Sequence, residues 1–219
     1  MRTDFRRQLD SLQDDLGAMC ALAGDAVGRA TRGLLDVDAD AAREVGRDID
    51  RLRFLHNTVE RRTLAILARQ APVAGDLRTV VTAIHVAADA DRMGGLASHV
   101  AKVSLRRHPH SAIPHELVGR FDEMGATAVA LAECCRDILT TGDCLLADRV
   151  RSEDRVMETM HRELFGEVTS PRWTHGAVVA SDVVLLGRFY GRFADHADEI
   201  ARRMVFQAGG GALARTQPI

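Results

Sequence analysis

LDSLQDDLGAMCALAGDAVGRATRGLL, residues 9–35, sets Leu9, Leu12, Leu16, Met19, Ala23, Ala26, Ala30 and Leu34 mostly three or four positions apart. That spacing lines apolar side chains along one stripe of an α-helix, and it predicts a first helix over residues 3–35. A second tract keeps the period through Val45, Ile49, Leu52, His56, Val59, Thr63 and Ile66, with His56 as its polar lapse. It must stop before Pro72, which lacks a backbone donor and disfavours a helical residue before it. A third tract runs from Asp76 to about Arg107 and is stopped by the His108-Pro109 step. Its apolar residues Val80, Val81, Ile84, Val86, Ala87, Met93, Ala97 and Val100 occupy more than one face, the pattern of a helix buried on several sides.

The second half repeats the first. At an offset of 105, Leu12, Leu16, Met19, Ala23 and Ala30 fall on Leu117, Phe121, Met124, Ala128 and Cys135, while Asp38 falls on Asp143, Val45 on Val150 and His56 on His161. For the third helix the offset becomes 100 and carries Arg92 onto Arg192, Ala97 onto Ala197, Val100 onto Ile200 and Ala101 onto Ala201. Pro72 and Pro171 mark equivalent joints, with about five residues lost between them. A unit this long is a whole three-helix element rather than a solenoid repeat. The expected fold is all-α, two tandem three-helix bundles related by an internal repeat: residues 1–108, a linker over 109–114, residues 115–208, and a flexible tail over 209–219. No Asn-Gly or Asp-Gly turn separates alternating segments, and the Val-rich piece 178–186 sits within a helical period.

Composition narrows the function. A chain of 219 residues with 46% hydrophobic and 27% charged residues can close a core. Lys+Arg number 29 against 31 Asp+Glu, whereas a nucleic-acid binder usually carries a basic excess, so no nucleic-acid partner is expected. The longest stretch without a charge, Met204 to Ala214, has 11 residues, against the roughly 20 of a membrane helix. The opening residues Arg2, Asp4, Arg6, Arg7, Asp10, Asp14 and Asp15 interrupt the apolar run of a signal peptide, and a cytoplasmic location is expected. Cys20, Cys134, Cys135 and Cys144 form no Cys-x-x-Cys pair and read as reduced, mostly buried thiols.

The candidate chemistry lies in carboxylates. Asp91 falls on the stripe Leu77, Val81, Ile84, Ala88, Asp91, Gly95, and a carboxylate buried there needs a cation or donors. Its repeat counterpart is Gly191, and one turn later the arrangement reverses, with Gly95 against Asp195. The second helix offers Glu44 and Asp48, and its counterpart offers Glu153 with Arg149 facing it. Acids one turn apart share a cation or pair with arginine, and the spacing alone leaves both readings open. His108, His110 and His115 read as linker residues, and His56 and His161 as core-side, hydrogen-bonded ones. The chain contains no Gly-rich phosphate loop and no nucleophile elbow.

The segment AILARQAPVAGDLR, residues 65–78, followed by Asp91-Arg-Met-Gly94 and later by RFYGRFADHA, residues 188–197, resembles the PhoU family of phosphate-uptake regulators, in its actinobacterial type, over residues 1 to about 206. The resemblance implies a non-catalytic, homodimeric, all-α regulator that represses phosphate uptake and the phosphate-starvation response. It implies an adaptor between a phosphate ABC transporter and a sensor histidine kinase, cytoplasmic and recruited to the inner membrane face through those partners. Some members bind iron or zinc clusters through paired acidic motifs. Here each third-helix motif keeps one acid, so the ligands carried over are Asp91 and Asp195, with Glu44, Asp48 and Glu153 from the second helices. Such degenerate sites are expected to hold metal weakly or not at all, the first half better than the second. Two other readings stay open: a structural dimerisation module, and a ferritin-like carboxylate metalloenzyme. The latter needs two Glu-x-x-His spacings, and the chain has one, Glu158 to His161.

Overall fold

The structure, a computed structural model, describes residues 2–209. The expected tail over 209–219 therefore lies outside the described residues beyond Gly209. Six long helices account for nearly all of the chain: α1 (Arg2–Leu35), α2 (Ala39–Gln70), α3 (Ala74–Arg107), α4 (Val118–Thr141), α5 (Leu146–Val168) and α6 (Gly176–Ala208), with a short 3-10 turn over His115–Leu117. The described residues contain no strand, and the fold is two tandem three-helix repeats.

The repeat is visible in the side-chain hydrogen bonds that precede the second helix of each half as well as in the cores. Asp38 caps α2 by accepting from the backbone N–H groups of Asp40 and Ala41 at 2.9 and 3.0 Å, and its counterpart Asp143 accepts from Leu145 at 3.0 Å. The α4 helix starts later than the repeat with α1 requires, because the segment between Pro109 and Pro114 replaces its first turns and tucks Ala112 and Ile113 into the core.

The two repeats share one continuous apolar core. The α1 helix packs on α2 and α3 of its own repeat and on α4 of the other, and α3 packs on α6. Both cross-repeat pairs run antiparallel. Along the α1–α4 seam small residues let the backbones approach: a Cβ on Gly24 would stand 3.0 Å from that of Ala132, and one on Gly125 would meet the Thr31 side chain at 2.4 Å. Thr31 in turn hydrogen-bonds the buried Tyr190 hydroxyl at 2.8 Å, tying α1 to α6. The α3–α6 seam is polar at intervals. Asp89 meets His196 at 3.0 Å, Gln207 donates to Thr79 at 3.1 Å, and buried Asp182 accepts from Arg106 and Arg107, each at 2.5 Å.

The α3 helix is buried on several sides, as its apolar faces imply, but Leu77, Val81 and Ile84 are 40–43% exposed. Its neighbours α1, α2 and α6 cover three sides, and the stripe that also carries Ala88, Asp91 and Gly95 looks out through the fourth.

Candidate functional site

In the first repeat the acids of α2 are already matched to a cation. Arg29 of α1 reaches Asp48 at 2.8 Å and Glu44 at 3.6 Å, and these three residues line a small cleft of about 110 Å³ with Arg47 and Arg51. Asp48 is 4% exposed, so the guanidinium supplies the counter-charge that burial demands. Asp91, half-buried on α3, is not among the residues lining this cleft. The first-half acids therefore do not converge, because Glu44 and Asp48 turn towards α1 and Asp91 sits on the outward stripe of α3.

In the second repeat a cleft of about 180 Å³ opens between α5 and α6, lined by Asp154, Glu158, His161, Arg188, Arg192 and Asp195, with Gly191. Asp195 stands there as a candidate, but its neighbour on α5 is Asp154 rather than Glu153. Glu153 lies on the α4 side, close enough for its charge to act on the Cys134 thiol. One residue along a helix turns the side chain by about 100°, enough to exchange one inter-helix groove for the next. Burial pushes the Asp154 carboxyl up to about 6, assisted by the negative charges of Asp198, Asp195 and Glu158 and opposed by Arg202. A Cβ on Gly191 would stand 3.7 Å from His161 Nδ1, so the imidazole occupies the space beside the missing acid. His161 is thus a half-buried residue of this cleft, His56 is half-buried too, and His108, His110 and His115 are exposed.

The fit to a multinuclear metal centre is poor. Glu44 and Asp48 are held by Arg29, the α5–α6 cleft contains two guanidiniums of its own, and Arg202 takes Asp198 at 3.0 Å and Glu199 at 2.9 Å. Among the described residues no group of three or more His, Cys, Asp or Glu side chains is arranged to hold a metal ion. The core gives no support to the ferritin-like reading either. Its buried carboxylates among the described residues are Asp48 and Asp182, each bound by arginine. The Cys20 thiol, fully enclosed, is pushed up to about 12 by burial, and burial also raises Cys135, which donates to the Ala197 carbonyl at 3.3 Å. Neither has the thiolate character of a nucleophile.

Asp154 and Glu158 were the residues that spacing alone did not single out for this cleft. They stand one turn apart on α5, a signal that the adjacent Glu153 obscures.

The PhoU domain model matches residues 16–104 and 121–204, one match on each repeat. The chain is 48% identical over 210 residues to the phosphate-specific transport system accessory protein PhoU homolog 2 of Mycobacterium tuberculosis, covering 96% of this chain and 99% of that protein. It is 46% identical to PhoU homolog 1 of Mycobacterium leprae, covering 96% and 95%. Its fold is similar to the crystal structure of PhoU from Pseudomonas aeruginosa, with a TM-score of 0.83 at 23% identity over 94% of this chain and 99% of that one.

Proposed function

The chain belongs to the PhoU-domain family, and from that premise we propose that it is a non-catalytic negative regulator of phosphate uptake and of the phosphate-starvation response. It acts in the cytoplasm, as a homodimer, as an adaptor between a phosphate ABC transporter and a sensor histidine kinase, and reaches the inner membrane face through them. The observation that carries this reading is the match of both repeats to one domain whose mycobacterial relatives are named accessory proteins of phosphate transport. Two features of the molecule support it. Among the described residues no helix is long and apolar enough to cross a membrane, which leaves partners to bring the chain there. The outward stripe of Leu77, Val81 and Ile84 on α3 offers apolar area of the kind that marks protein contacts.

Deleting the gene is expected to raise expression of phosphate-scavenging genes in phosphate-rich medium, read by transcript abundance, and restoring it in trans returns them to the repressed level. Unchanged expression in a strain with no second copy overturns the regulatory reading and favours the plain dimerisation module.

Metal has a minor place in this proposal. Protein purified without chelator is expected to contain little iron or zinc by elemental analysis, because arginines neutralise the candidate acids. Any ion retained is expected in the α5–α6 cleft, so Asp195→Ala removes more of it than Asp91→Ala, the reverse of the ranking that the linear spacing suggests. A tightly held, stoichiometric ion unaffected by Asp195→Ala overturns this.

A further inference from the structure

The outward stripe of α3 is spaced as a seam for another helix. Leu77, Val81, Ile84, Ala88, Asp91 and Gly95 follow one another at alternating intervals of four and three residues, the a and d positions of successive heptads. The first four are apolar and exposed, and from Leu77 to Ala88 they run about 16 Å along the helix. The α1, α2 and α6 helices pack on the other sides of α3, and among the described residues no element covers this one.

One flank of the seam is basic. Arg78, His85 and Arg92 recur every seven residues, each one position after a seam residue, which is heptad position e. His85 and Arg92 are exposed and Arg78 is half-buried. Neither arginine makes an ion pair among the described residues, and Arg78 Nε is enclosed without an acceptor. The nearby acid Asp89 is already held by His196 at 3.0 Å and Arg203 at 3.5 Å. The second repeat has the same backbone without this surface. At the offset of 100, Leu77, Val81, Ile84 and Ala88 become Ala177, Ser181, Val184 and Arg188, while Arg78 and His85 become Val178 and Leu185. An apolar seam with a basic edge is therefore a property of the first repeat, not a by-product of the three-helix unit.

We propose that this face docks an acidic amphipathic α-helix of a partner protein, apolar at its own a and d positions and carrying Asp or Glu along the flank that meets Arg78, His85 and Arg92. The inference rests on the adaptor reading and supplies the chemistry of one partner. A heptad seam is filled by the side chains of a second helix, and carboxylates opposite the arginines steer and orient it. Asp91 ends the apolar run, and a lone polar residue at a seam position sets the register. A second copy fits less well, because two α3 seams meeting antiparallel about a two-fold axis bring each basic flank against its own equivalent. A lipid surface takes a broad apolar face with aromatic or leucine-rich area, whereas this seam is narrow and has no aromatic residue.

The test is fluorescence anisotropy of the full-length protein with a labelled peptide of about three heptads, Leu at a and d and Glu at e and g, beside a counterpart with Lys in place of Glu. Saturable binding of the Glu peptide in the micromolar range is expected, since the contact is shorter than a standard interface. The Lys peptide binds about tenfold more weakly. Val81→Glu raises the Kd about tenfold, as does Arg78→Gln combined with Arg92→Gln. Ser181→Glu, at the equivalent site of the second repeat, leaves it unaltered, and thermal melts confirm that the variants fold. Absence of saturable binding, equal loss in Ser181→Glu, or preference for the Lys peptide overturns the proposal. So does binding to phosphatidylglycerol vesicles that Val81→Glu abolishes, which makes the stripe a membrane contact, or a dimer that Val81→Glu converts to monomer in light scattering, which gives it to a second copy. In the deletion strain, the Val81→Glu chain is expected not to restore repression at parental abundance, while Ser181→Glu does. Repression restored by Val81→Glu overturns the docking surface and leaves the regulatory reading standing, whereas a deletion without effect overturns the regulatory reading before any variant is introduced.

Discussion

Replacing Arg106 and Arg107 together by glutamine is expected to destabilise the protein by about 3–5 kcal/mol. The two guanidiniums are the cations that hold Asp182, which lies 2% exposed at the α3–α6 seam. Removing them strands a buried carboxylate, the costly half of a broken pair. The reverse change is milder, because the side chains of Arg106 and Arg107 are 57% and 32% exposed and turn to water when their acid is lost. Asp182→Asn is accordingly expected to cost about 1–2 kcal/mol, and adding Asp182→Leu to the double variant to recover part of its loss. Urea unfolding of the four proteins measures this directly. A double variant no less stable than Asp182→Asn would show that water already screens the carboxylate. A change of about 4 kcal/mol moves the melting temperature by roughly 10 °C in a chain of this size.

Asp154→Asn is expected to make the metal-free protein more stable at pH 7.5, by about 2 kcal/mol after allowing for the partial exposure of the side chain. The Asp154 carboxyl is raised from 3.8 to about 6 in the folded chain, first by burial and then by Asp198, Asp195 and Glu158. Folding therefore favours its protonated form. The stability this contributes is fully present below about pH 4, the unfolded value, and is lost as the pH rises through about 6. Asparagine keeps the neutral shape and carries no charge to expel, so the variant loses this pH dependence and matches the parent at pH 4. Denaturation midpoints at pH 4, 6 and 7.5 check the sign. A variant less stable than the parent at pH 7.5 would mean that Arg202, which opposes the shift, outweighs the three acids.

Most of the helical framework was legible in the linear sequence. Heptad-like spacing from Leu9 to Leu34 and the proline stops located the first three helices to within a few residues of their observed ends. Matching positions such as Asp38 with Asp143 exposed the duplication, and both carboxylates accept from the backbone N–H two residues on. Burial was less legible. Val81 and Ile84 are apolar, yet they are exposed because among the described residues no helix covers that side of α3. The acids were harder still. Glu153 and Asp154 are adjacent and chemically alike, and only packing assigns one to α4 and the other to the α5–α6 cleft.

Sequence by itself determined the secondary structure, the duplication and the family, because helical period, proline stops and a motif repeated at a fixed offset are properties of one chain read in order. Tertiary structure alone decided that the repeats merge through the α1–α4 and α3–α6 seams, that Arg29 neutralises Glu44 and Asp48, and that Asp195 shares its cleft with Asp154 rather than Glu153. The physical reason is angular. A period places residues on a common face of a helix, but which neighbour that face meets depends on how six helices pack, and a rotation of about 100° between successive residues is enough to change the partner.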